Sequence, residues 1–286
     1  MESSLVTNLL LPLALGIVML GLGLSLTTDD FKRIARYPRA VLIGLATQTM
    51  VLVAIAYSLA RWFDLSPELS VGLMLLAASP GGATANIYSH LAKGDVALNI
   101  TLTAINSALA LITLPLIVNF SLAHFMGQEQ YLPPPTRKVV EVAAIIVLPV
   151  LIGMALRASR PLLAARLEKP IRVFAVLVLF AVILAAIGAE WDRLPGFIAA
   201  VGGACLAFNL LRIGSGYGRP RLLKLDRRQS ISISMEIGIH NGTLAIFIAL
   251  NVLQNAEMSI PAAVYSIIMF FTAGVFAYGL TRVGDR

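Results

Sequence analysis

The feature that most constrains this chain is a series of apolar runs, each long enough to cross a lipid bilayer as a helix. A spanning helix needs about 20 predominantly apolar residues. Nine such runs follow one another, separated mostly by short charged segments. Only 13% of the residues are charged, whereas a typical soluble domain has about 25%. The sequence therefore predicts an all-α polytopic membrane protein, with residues 1–286 forming a single transmembrane domain.

The limits of the apolar runs place the expected spans. They cover residues 5–26, 38–62, 69–92, 95–122, 137–157, 170–188, 195–211, 229–254 and 260–281. The first run lacks a small-residue cleavage pattern, so we expect it to be a retained helix and not a signal peptide. Because most connections are short, consecutive helices are expected to pack as antiparallel neighbours.

The distribution of Lys and Arg between the loops predicts the orientation of the chain. With nine spans, 18 of the 22 Lys and Arg residues fall on the side that carries the C-terminus. Cytoplasmic loops carry such an excess. We therefore expect a multi-pass protein of a bacterial inner membrane, with the N-terminus outside and the C-terminus in the cytoplasm. These loops account for the net charge of +7, so no nucleic acid partner is expected.

Two of the expected helices are interrupted near their centres. The segment 79–85, "SPGGATA", interrupts the third run, and Gly238 and Gly242 interrupt the eighth. Spans 1–4 thus match spans 6–9 at an odd offset of five, so the two halves have opposite orientations in the membrane. We expect an inverted repeat with an extra helix between its halves. Its parts cover residues 5–122 for the first half, 137–157 for the extra helix and 170–281 for the second half.

Paired broken helices are typical of secondary transporters. Every backbone polar group inside a bilayer needs a hydrogen-bond partner, and a break in a helix frees several of them. Ions and substrates supply the missing partners, because carbonyls coordinate a cation and N–H groups face an anion. The alternative is that the Pro and Gly residues only kink two packed helices.

Glu236 is the expected ion-binding residue because it lies near the middle of the eighth run. A carboxylate at that depth is costly unless it is paired or protonated. The limits of the spans leave no Lys or Arg at the centre of any span, and they place Arg212 in the seventh loop. A mobile cation is then the expected partner of Glu236. The alternative is a protonated Glu236 that donates one hydrogen bond.

Other polar residues at depth form a pattern suited to a hard cation such as Na+. Asn99, Thr103 and Asn106 recur at helical spacing and share one face of the fourth run. Asn86 follows the break in the third run, and Gln48 lies in the middle of the second. All of them offer oxygen, which such a cation prefers. The alternative for the fourth run is hydrogen bonding between helices.

His240 lies four residues after Glu236, and its role is left open by the residues alone. It is a poor Na+ ligand because an imidazole offers nitrogen. It can carry protons near neutral pH. It can equally be a structural residue that makes hydrogen bonds.

Three segments resemble the bile acid:sodium symporter family, and the resemblance extends over essentially the whole chain. They are "GLGLSLTTDDFKR", "SPGGATANIYSHLAKGDVALNITLT" and "EIGIHNGTLA". The resemblance implies that the two broken helices cross at their unwound centres. It also implies a core domain, spans 2–4 and 7–9, that moves against a panel domain of the remaining helices.

The resemblance also implies two sodium sites and one substrate site. The first sodium site would contain Asn86, Asn99, Thr103 and Glu236. The second would contain Gln48, Glu236, the carbonyls of Ile237 and Ile239, and His240, where the family has Gln. The substrate anion would lie near Ala83, Thr84 and Asn241.

The leading hypothesis is a secondary active symporter that imports a small organic anion together with Na+. The anion would be a carboxylate, a bile-acid-like compound, or a 2-oxo or 2-hydroxy acid. One alternative is proton coupling through Glu236 and His240, and another is a non-transporting membrane receptor or assembly subunit. An enzyme is not expected, because the polar residues lack a nucleophile, a metal-ligand set or a phosphate-binding loop. Membrane lipid is the other expected partner, and the oligomeric state stays open with a monomer as a plausible form.

Overall fold

The chain is helical throughout the part that the structure, a computed structural model, describes. The described residues are 11–32, 35–82, 84–127, 136–189 and 194–284. Within them no β-strand forms, and one isolated antiparallel bridge pairs Gly81 with His240. The prediction of an all-α protein is confirmed for these residues.

In the first half of the chain, a broken helix follows one long helical unit and precedes another. The elements are α1 (Leu11–Ser25), α2 (Thr28–Lys32), α3 (Pro38–Ala46), a π-helical turn (Thr47–Val51), α4 (Leu52–Trp62), α5 (Pro67–Ala78), α6 (Ala85–Leu91) and α7 (Val96–Phe125). The helix α3, the π-helical turn and α4 follow one another without a gap. Asp95 begins α7 by accepting a hydrogen bond from the Leu98 amide at 3.1 Å, which satisfies one free donor of the first turn.

The second half begins with three long helices and then breaks in turn. Its elements are α8 (Thr136–Ser159), α9 (Pro161–Ala189), α10 (Leu194–Leu222), α11 (Arg227–Gly238), α12 (Gly242–Phe247), a second π-helical turn (Ile248–Val252), a 3-10 turn (Glu257–Ser259) and α13 (Ile260–Gly284). The expected extra helix, 137–157, and the expected sixth span, 170–188, lie within α8 and α9 respectively.

Several described helices have the length and composition of membrane spans. Four of them are long and apolar enough to cross a bilayer, and they cover Pro38–Trp62, Val96–Phe125, Ile198–Leu222 and Glu257–Arg282. Shorter apolar helices cover Leu15–Ser25, Pro67–Ala78, Val147–Ser159 and Gly242–Val252. Large apolar side chains also face outward, including Met50 at 72% exposure and Phe271 at 73%. Such a surface suits lipid and not water, so the protein is a multi-pass membrane protein.

The two broken helices are built alike. The segment before each break, α5 or α11, is 12 residues long. Each begins at a capping side chain: Ser66 accepts from the Leu69 amide, and Asp226 accepts from the Gln229 amide. A helix of that length rises about 18 Å. Both breaks therefore lie deep between the helix ends, as the interrupted runs predict.

The helices fall into two packing groups. One group is α1 with α8 and α9, which pack mainly against one another. In the other group, α11 packs against α6, α7 and α10, while α5 packs against α4 and α7. Small residues bring α1 close to α8: a Cβ added at Gly23 would overlap the Val150 backbone, and one added at Gly153 would overlap the Leu20 backbone. Such close approach is typical of helix packing in membranes.

The expected limit of the seventh span is wrong. We expected the span to end at residue 211, which would place Arg212 in a loop. The helix α10 continues to Leu222, and Arg212 lies inside it with no exposed surface. The residues that follow, Ile213 to Gly218, carry no charge, so nothing in them ends the helix at the membrane surface.

Replacing Gly23 by Ala tests the close packing of α1 on α8. Because the added methyl would overlap the Val150 backbone, we expect Gly23→Ala to lower the free energy of unfolding by about 1–3 kcal/mol. The matched control is Gly279→Ala, where a Cβ meets no atom within 4 Å. Thermal unfolding of purified protein in detergent measures the difference. Equal midpoints for the two variants would contradict the packing.

Candidate functional site

The two breaks pair with each other through their backbones. The Gly82 amide donates to the Ile239 carbonyl at 2.8 Å, and the Asn241 amide donates to the Pro80 carbonyl at 3.0 Å. These bonds flank the bridge between Gly81 and His240. Each break thus supplies partners for backbone groups that the other break frees, as a buried chain requires.

Side chains from two other helices satisfy the last carbonyl of α11 beside this crossing. The Gly238 carbonyl accepts hydrogen bonds from the Tyr265 hydroxyl at 2.8 Å and from Asn209 Nδ2 at 3.2 Å. These donors belong to α13 and α10, which are distant in sequence from one another. Sequence reasoning missed both residues, because no spacing within one helix relates them to the break.

Gly81 lets the first break approach the carboxylate of the second broken helix. A Cβ added at Gly81 would overlap the carboxylate atoms of Glu236. A side chain at this position would therefore push the Glu236 carboxylate out of its place. The glycine is needed here for close approach and not for a turn.

Glu236 is buried and has neutral partners. Its side chain is 1% exposed. Thr103 Oγ1 lies 2.5 Å from Glu236 Oε2, and Asn106 Nδ2 donates to Oε1 at 3.3 Å. Within the described part of the chain no Lys or Arg forms an ion pair with it. The expectation that no Lys or Arg lies inside a span is wrong at Arg212, which is buried within α10. The role of Glu236 as an ion-binding residue stays a prediction.

The surroundings of Glu236 hold amide oxygens that lack partners. Asn99 lies one turn before Thr103 on α7, and its Nδ2 donates to the Ser232 carbonyl at 2.8 Å. The Oδ1 atoms of Asn99 and of Asn86 are buried and make no hydrogen bond to any described residue. Leaving a buried acceptor unpaired costs about 1–3 kcal/mol.

Asn86 faces the same region because of its place on α6. Ser89, three residues further along, contacts Ser232 on α11 with their hydroxyl oxygens 2.8 Å apart. Residues three apart lie on one face of a helix, so Asn86 also points toward α11. The site therefore joins one carboxylate, one hydroxyl and two unpartnered amide oxygens. This donor set fits a hard cation, and among the described residues no group of three His, Cys, Asp or Glu could hold a metal ion.

His240 lies on the other side of the crossing, and both of its ring nitrogens are engaged. Nδ1 lies 3.1 Å from Ser79 Oγ, and Nε2 lies 3.3 Å from Gln48 Nε2. The Gln48 amide nitrogen also donates to the Ser79 carbonyl at 3.1 Å, which sets the orientation of the amide. Since that nitrogen can only donate, His240 Nε2 accepts and Nδ1 carries the hydrogen. The Ser79 hydroxyl in turn donates to the Leu76 carbonyl at 2.8 Å.

The residues expected in a second sodium site are only partly brought together. Gln48 and His240 are in contact, but they bind each other, and Gln48 Oε1 has no described partner. The Ile239 carbonyl is used by Gly82, and the Ile237 side chain packs in a buried apolar cluster. No described hydrogen bond joins Glu236 to Gln48 or His240. Among the described side chains, the first expected sodium site thus offers two unpartnered amide oxygens and the second offers one.

The residues expected at the substrate site lie where the helices resume after the breaks. Asn241 begins α12, and its Oδ1 accepts from the Leu244 amide at 3.0 Å, while its Nδ2 has no partner among the described residues. Thr84 precedes α6, is half-buried and makes no capping hydrogen bond through its side chain. Ala83 lies outside the described residues. Asn241 and Thr84 thus offer donors on the two sides of the crossing.

Arg212 is the buried charge that sequence reasoning missed. None of its three guanidinium nitrogens makes a hydrogen bond to a described residue. The guanidinium carbon lies 4.5 Å from the centre of the Phe208 ring and 5.1 Å from the centre of the Tyr265 ring. Stacking on aromatic rings offsets part of the cost of burying this charge. Tyr265 is the same residue that donates to the end of α11.

Comparison with known protein families shows which family the chain belongs to. The model of the Sodium Bile acid symporter family matches residues 12–194, which include the first break and the polar face of α7. The chain belongs to this family. The resemblance stated from the sequence is thereby confirmed, and the family is one of transporters and not of enzymes.

Individual members of the family match over most of the chain. The "Uncharacterized sodium-dependent transporter YocS" of Bacillus subtilis (strain 168) is 27% identical over 255 residues, covering 88% of this chain and 77% of its own length. The "Probable sodium/metabolite cotransporter BASS1, chloroplastic" of Arabidopsis thaliana is 29% identical, covering 92% and 64% respectively. The "Hepatic sodium/bile acid cotransporter" of Rattus norvegicus is 27% identical, covering 54% and 42%. The chain thus spans less than two thirds of the length of the plant and rat relatives.

Ser79→Ala tests the hydrogen bonds that hold His240. The substitution removes the acceptor of the imidazole Nδ1–H, so we expect it to lower the free energy of unfolding by about 1–3 kcal/mol. Ser58→Ala is the matched control, since the exposed Ser58 hydroxyl only donates to the Ala54 carbonyl of its own helix. Thermal unfolding gives the stabilities, and nitrogen NMR of the imidazoles gives the tautomer. A proton on Nε2 of His240 in the unmodified protein would contradict the network.

Proposed function

We propose that this protein is a secondary active symporter that imports a small organic anion together with Na+. Na+ is then a co-transported substrate and not a cofactor. The observation that carries the proposal is the buried Glu236 carboxylate, which has neutral partners. Unpartnered oxygens of Asn99 and Asn86 lie on α7 and α6, the helices that contact α11 at Ser232, one turn before Glu236. A cation that comes and goes supplies the charge that the described chain does not place there.

The proposed topology has nine spans, an outside N-terminus and a cytoplasmic C-terminus. Its support is the likeness of the two broken helices, each with a 12-residue capped segment before its break. Residues 5–122 and 170–281 are the proposed inverted repeats, and α8 is the extra helix between them. Two repeats of opposite orientation bring their breaks to the middle of the bilayer, where the transported ion binds.

The proposed moving parts are a core and a panel. The mutual packing of α1, α8 and α9 supports a panel made of these three helices. The hydrogen bonds between the two breaks support a core that carries the crossing as one body. Transport then requires the core to move against the panel while the bound ion and anion stay with the core.

The proposed sodium site uses Glu236, Thr103, Asn99 and Asn86. The Glu236 carboxylate, the Thr103 hydroxyl and the unpartnered amide oxygens of Asn99 and Asn86 would coordinate the Na+ ion. Its binding would neutralise Glu236 next to the crossing and hold α6, α7 and α11 together. The anion would then bind to a crossing that is more rigid and less negative.

The proposed anion site lies at Asn241 and Thr84; Ala83, which the resemblance also assigns to it, lies outside the described residues. Its support is the Asn241 Nδ2, which has no described acceptor, and the Thr84 hydroxyl, which makes no cap. Neutralising Glu236 favours an anion nearby, so each ligand raises the affinity for the other. Such coupling is reciprocal and commonly amounts to about 1–3 kcal/mol. The printed names of the relatives, metabolite and bile acid cotransporters, suggest small organic anions.

The His240 network favours Na+ over H+ as the coupling ion. Proton coupling through Glu236 and His240 needs a path between them, and each is hydrogen-bonded to other groups. The imidazole also uses both nitrogens in holding Ser79 and Gln48. Membership of a transporter family argues against a receptor or assembly subunit.

Stability in Na+ tests the role of Glu236. We expect Na+, compared with K+ at equal ionic strength, to raise the unfolding midpoint of the purified protein. A concentration about 100 times the Kd corresponds to about 2.7 kcal/mol. Glu236→Gln should remove the response, while Glu68→Gln, in the first turn of α5, should keep it. A Na+ response that survives in Glu236→Gln would exclude this site.

Uptake by proteoliposomes tests the symport itself. Labelled monocarboxylates, dicarboxylates and bile acids are offered at fixed pH with Na+ or K+ outside. We expect at least one of them to accumulate only with Na+, and Asn241→Leu to abolish that accumulation, because Asn241 supplies both the cap of α12 and the free amide donor. Accumulation that follows an imposed pH gradient equally well in K+ would favour proton coupling instead.

A further inference from the structure

We propose that Arg212 is a permanent cation of the transport core that takes the place of a second transported cation. The protein then carries one Na+ with each monovalent anion and moves no net charge. This inference rests on the proposed function, because it assumes that Na+ binds at Glu236.

Arg212 is charged throughout the cycle and has no protein counterion. A guanidinium keeps its charge in proteins. Its side chain has no exposed surface, and its nitrogens have no hydrogen-bond partner among the described residues. Stacking on Phe208 and Tyr265 holds it in place without neutralising it. The positive charge therefore acts on its surroundings through space.

The guanidinium lies close enough to the crossing to affect ion binding. The Tyr265 ring lies between the two regions: its centre is 5.1 Å from the guanidinium carbon and 6.5 Å from the centre of the His240 ring. The two distances together place the guanidinium carbon no more than about 12 Å from the imidazole centre. A unit charge at about 12 Å weakens the binding of a cation placed beside His240 about tenfold, at an effective dielectric constant of about 20.

Around His240 the described side chains offer a second cation one unpartnered oxygen, Gln48 Oε1, while the other polar groups are engaged. The Gln48 amide presents its nitrogen to the imidazole, and the imidazole presents an N–H to Ser79. The Ile239 carbonyl is occupied by the Gly82 amide. A cation placed there would break these bonds and would also face the charge of Arg212. The unpartnered oxygens of Asn86 and Asn99 belong to α6 and α7.

With a monovalent anion, the buried charges of the core balance when one Na+ is bound. Among the described residues the buried charged side chains are Asp30, Arg212 and Glu236, and Asp30 belongs to α2 in the first loop. The empty core, with Glu236 and Arg212 ionised, is neutral. The core with one Na+ and one monovalent anion is also neutral. Either ligand alone leaves a net charge, so the half-loaded core moves across the bilayer less readily, which couples the two fluxes.

Equilibrium binding of radioactive Na+ to the purified full-length protein tests the stoichiometry. We expect one Na+ per chain at saturation. Arg212→Met should raise the affinity for Na+ severalfold, since it removes a positive charge from the core. Arg212→Lys should keep the affinity of the unmodified protein, because it retains the charge. Arg219→Met, an exposed residue on the same helix, should have no effect.

Each outcome decides between the two proposals. Two Na+ per chain in the unmodified protein would overturn the inference and leave the symport proposal standing. No Na+ binding at all would overturn the symport proposal, and the inference with it. One Na+ per chain, with an affinity that Arg212→Met lowers or leaves unchanged, would give Arg212 a structural role only. Arg212→Lys keeps the positive charge but changes the side chain, so it tests the charge even if Arg212→Met folds poorly. A Lys variant that binds Na+ more tightly than the unmodified protein would contradict the inference.

Discussion

The hydrogen bonds between the two broken helices are the constraint on which the rest of this molecule depends. A break deep in a bilayer is tolerated only where its backbone groups find partners, and here each break supplies them for the other through Gly82, Ile239, Asn241 and Pro80. The arrangement requires glycine at position 81, because the backbone passes against the Glu236 carboxylate. It also explains why α5 and α11 end at similar depths, since two breaks must meet in order to pair. The same pairing of the two breaks therefore brings the residues of the candidate site together.

Glu236 and Arg212 are both buried, yet they do not pair. Each has instead a setting that suits its own charge: neutral hydroxyl and amide groups for the carboxylate, and aromatic rings for the guanidinium. A direct ion pair would satisfy both and leave neither free to respond to an ion. In the proposed mechanism, keeping the two charges unpaired leaves Glu236 able to bind a cation. This separation links the packing of α10 and α13 to the chemistry of α7 and α11.

Much of this could be predicted from the sequence, because helical spacing carries the information. The Pro and Gly residues predict the breaks, and the spacing of Asn99, Thr103 and Asn106 predicts the face that meets Glu236. Contacts between distant elements could not be predicted, and the two donors to Gly238 are the clearest case. The position of Arg212 could not be predicted from the first charge after the seventh run, because that charge does not mark the end of the helix. The absence of another charge before Arg219 was the available signal, since a helix that reaches the surface there buries Arg212 two turns inside.

The backbone pairing at the crossing also bears on proton leakage through the protein. A cell that stores energy as ion gradients needs a carrier whose middle never fills with a continuous file of water, because protons would then leak along it. The backbones at Gly81 and His240 pair directly, and Tyr265, Asn209 and Ser79 satisfy the Gly238 and Leu76 carbonyls with side-chain donors in place of water. The backbone groups at the two breaks are thereby engaged with each other and are less available to bind water.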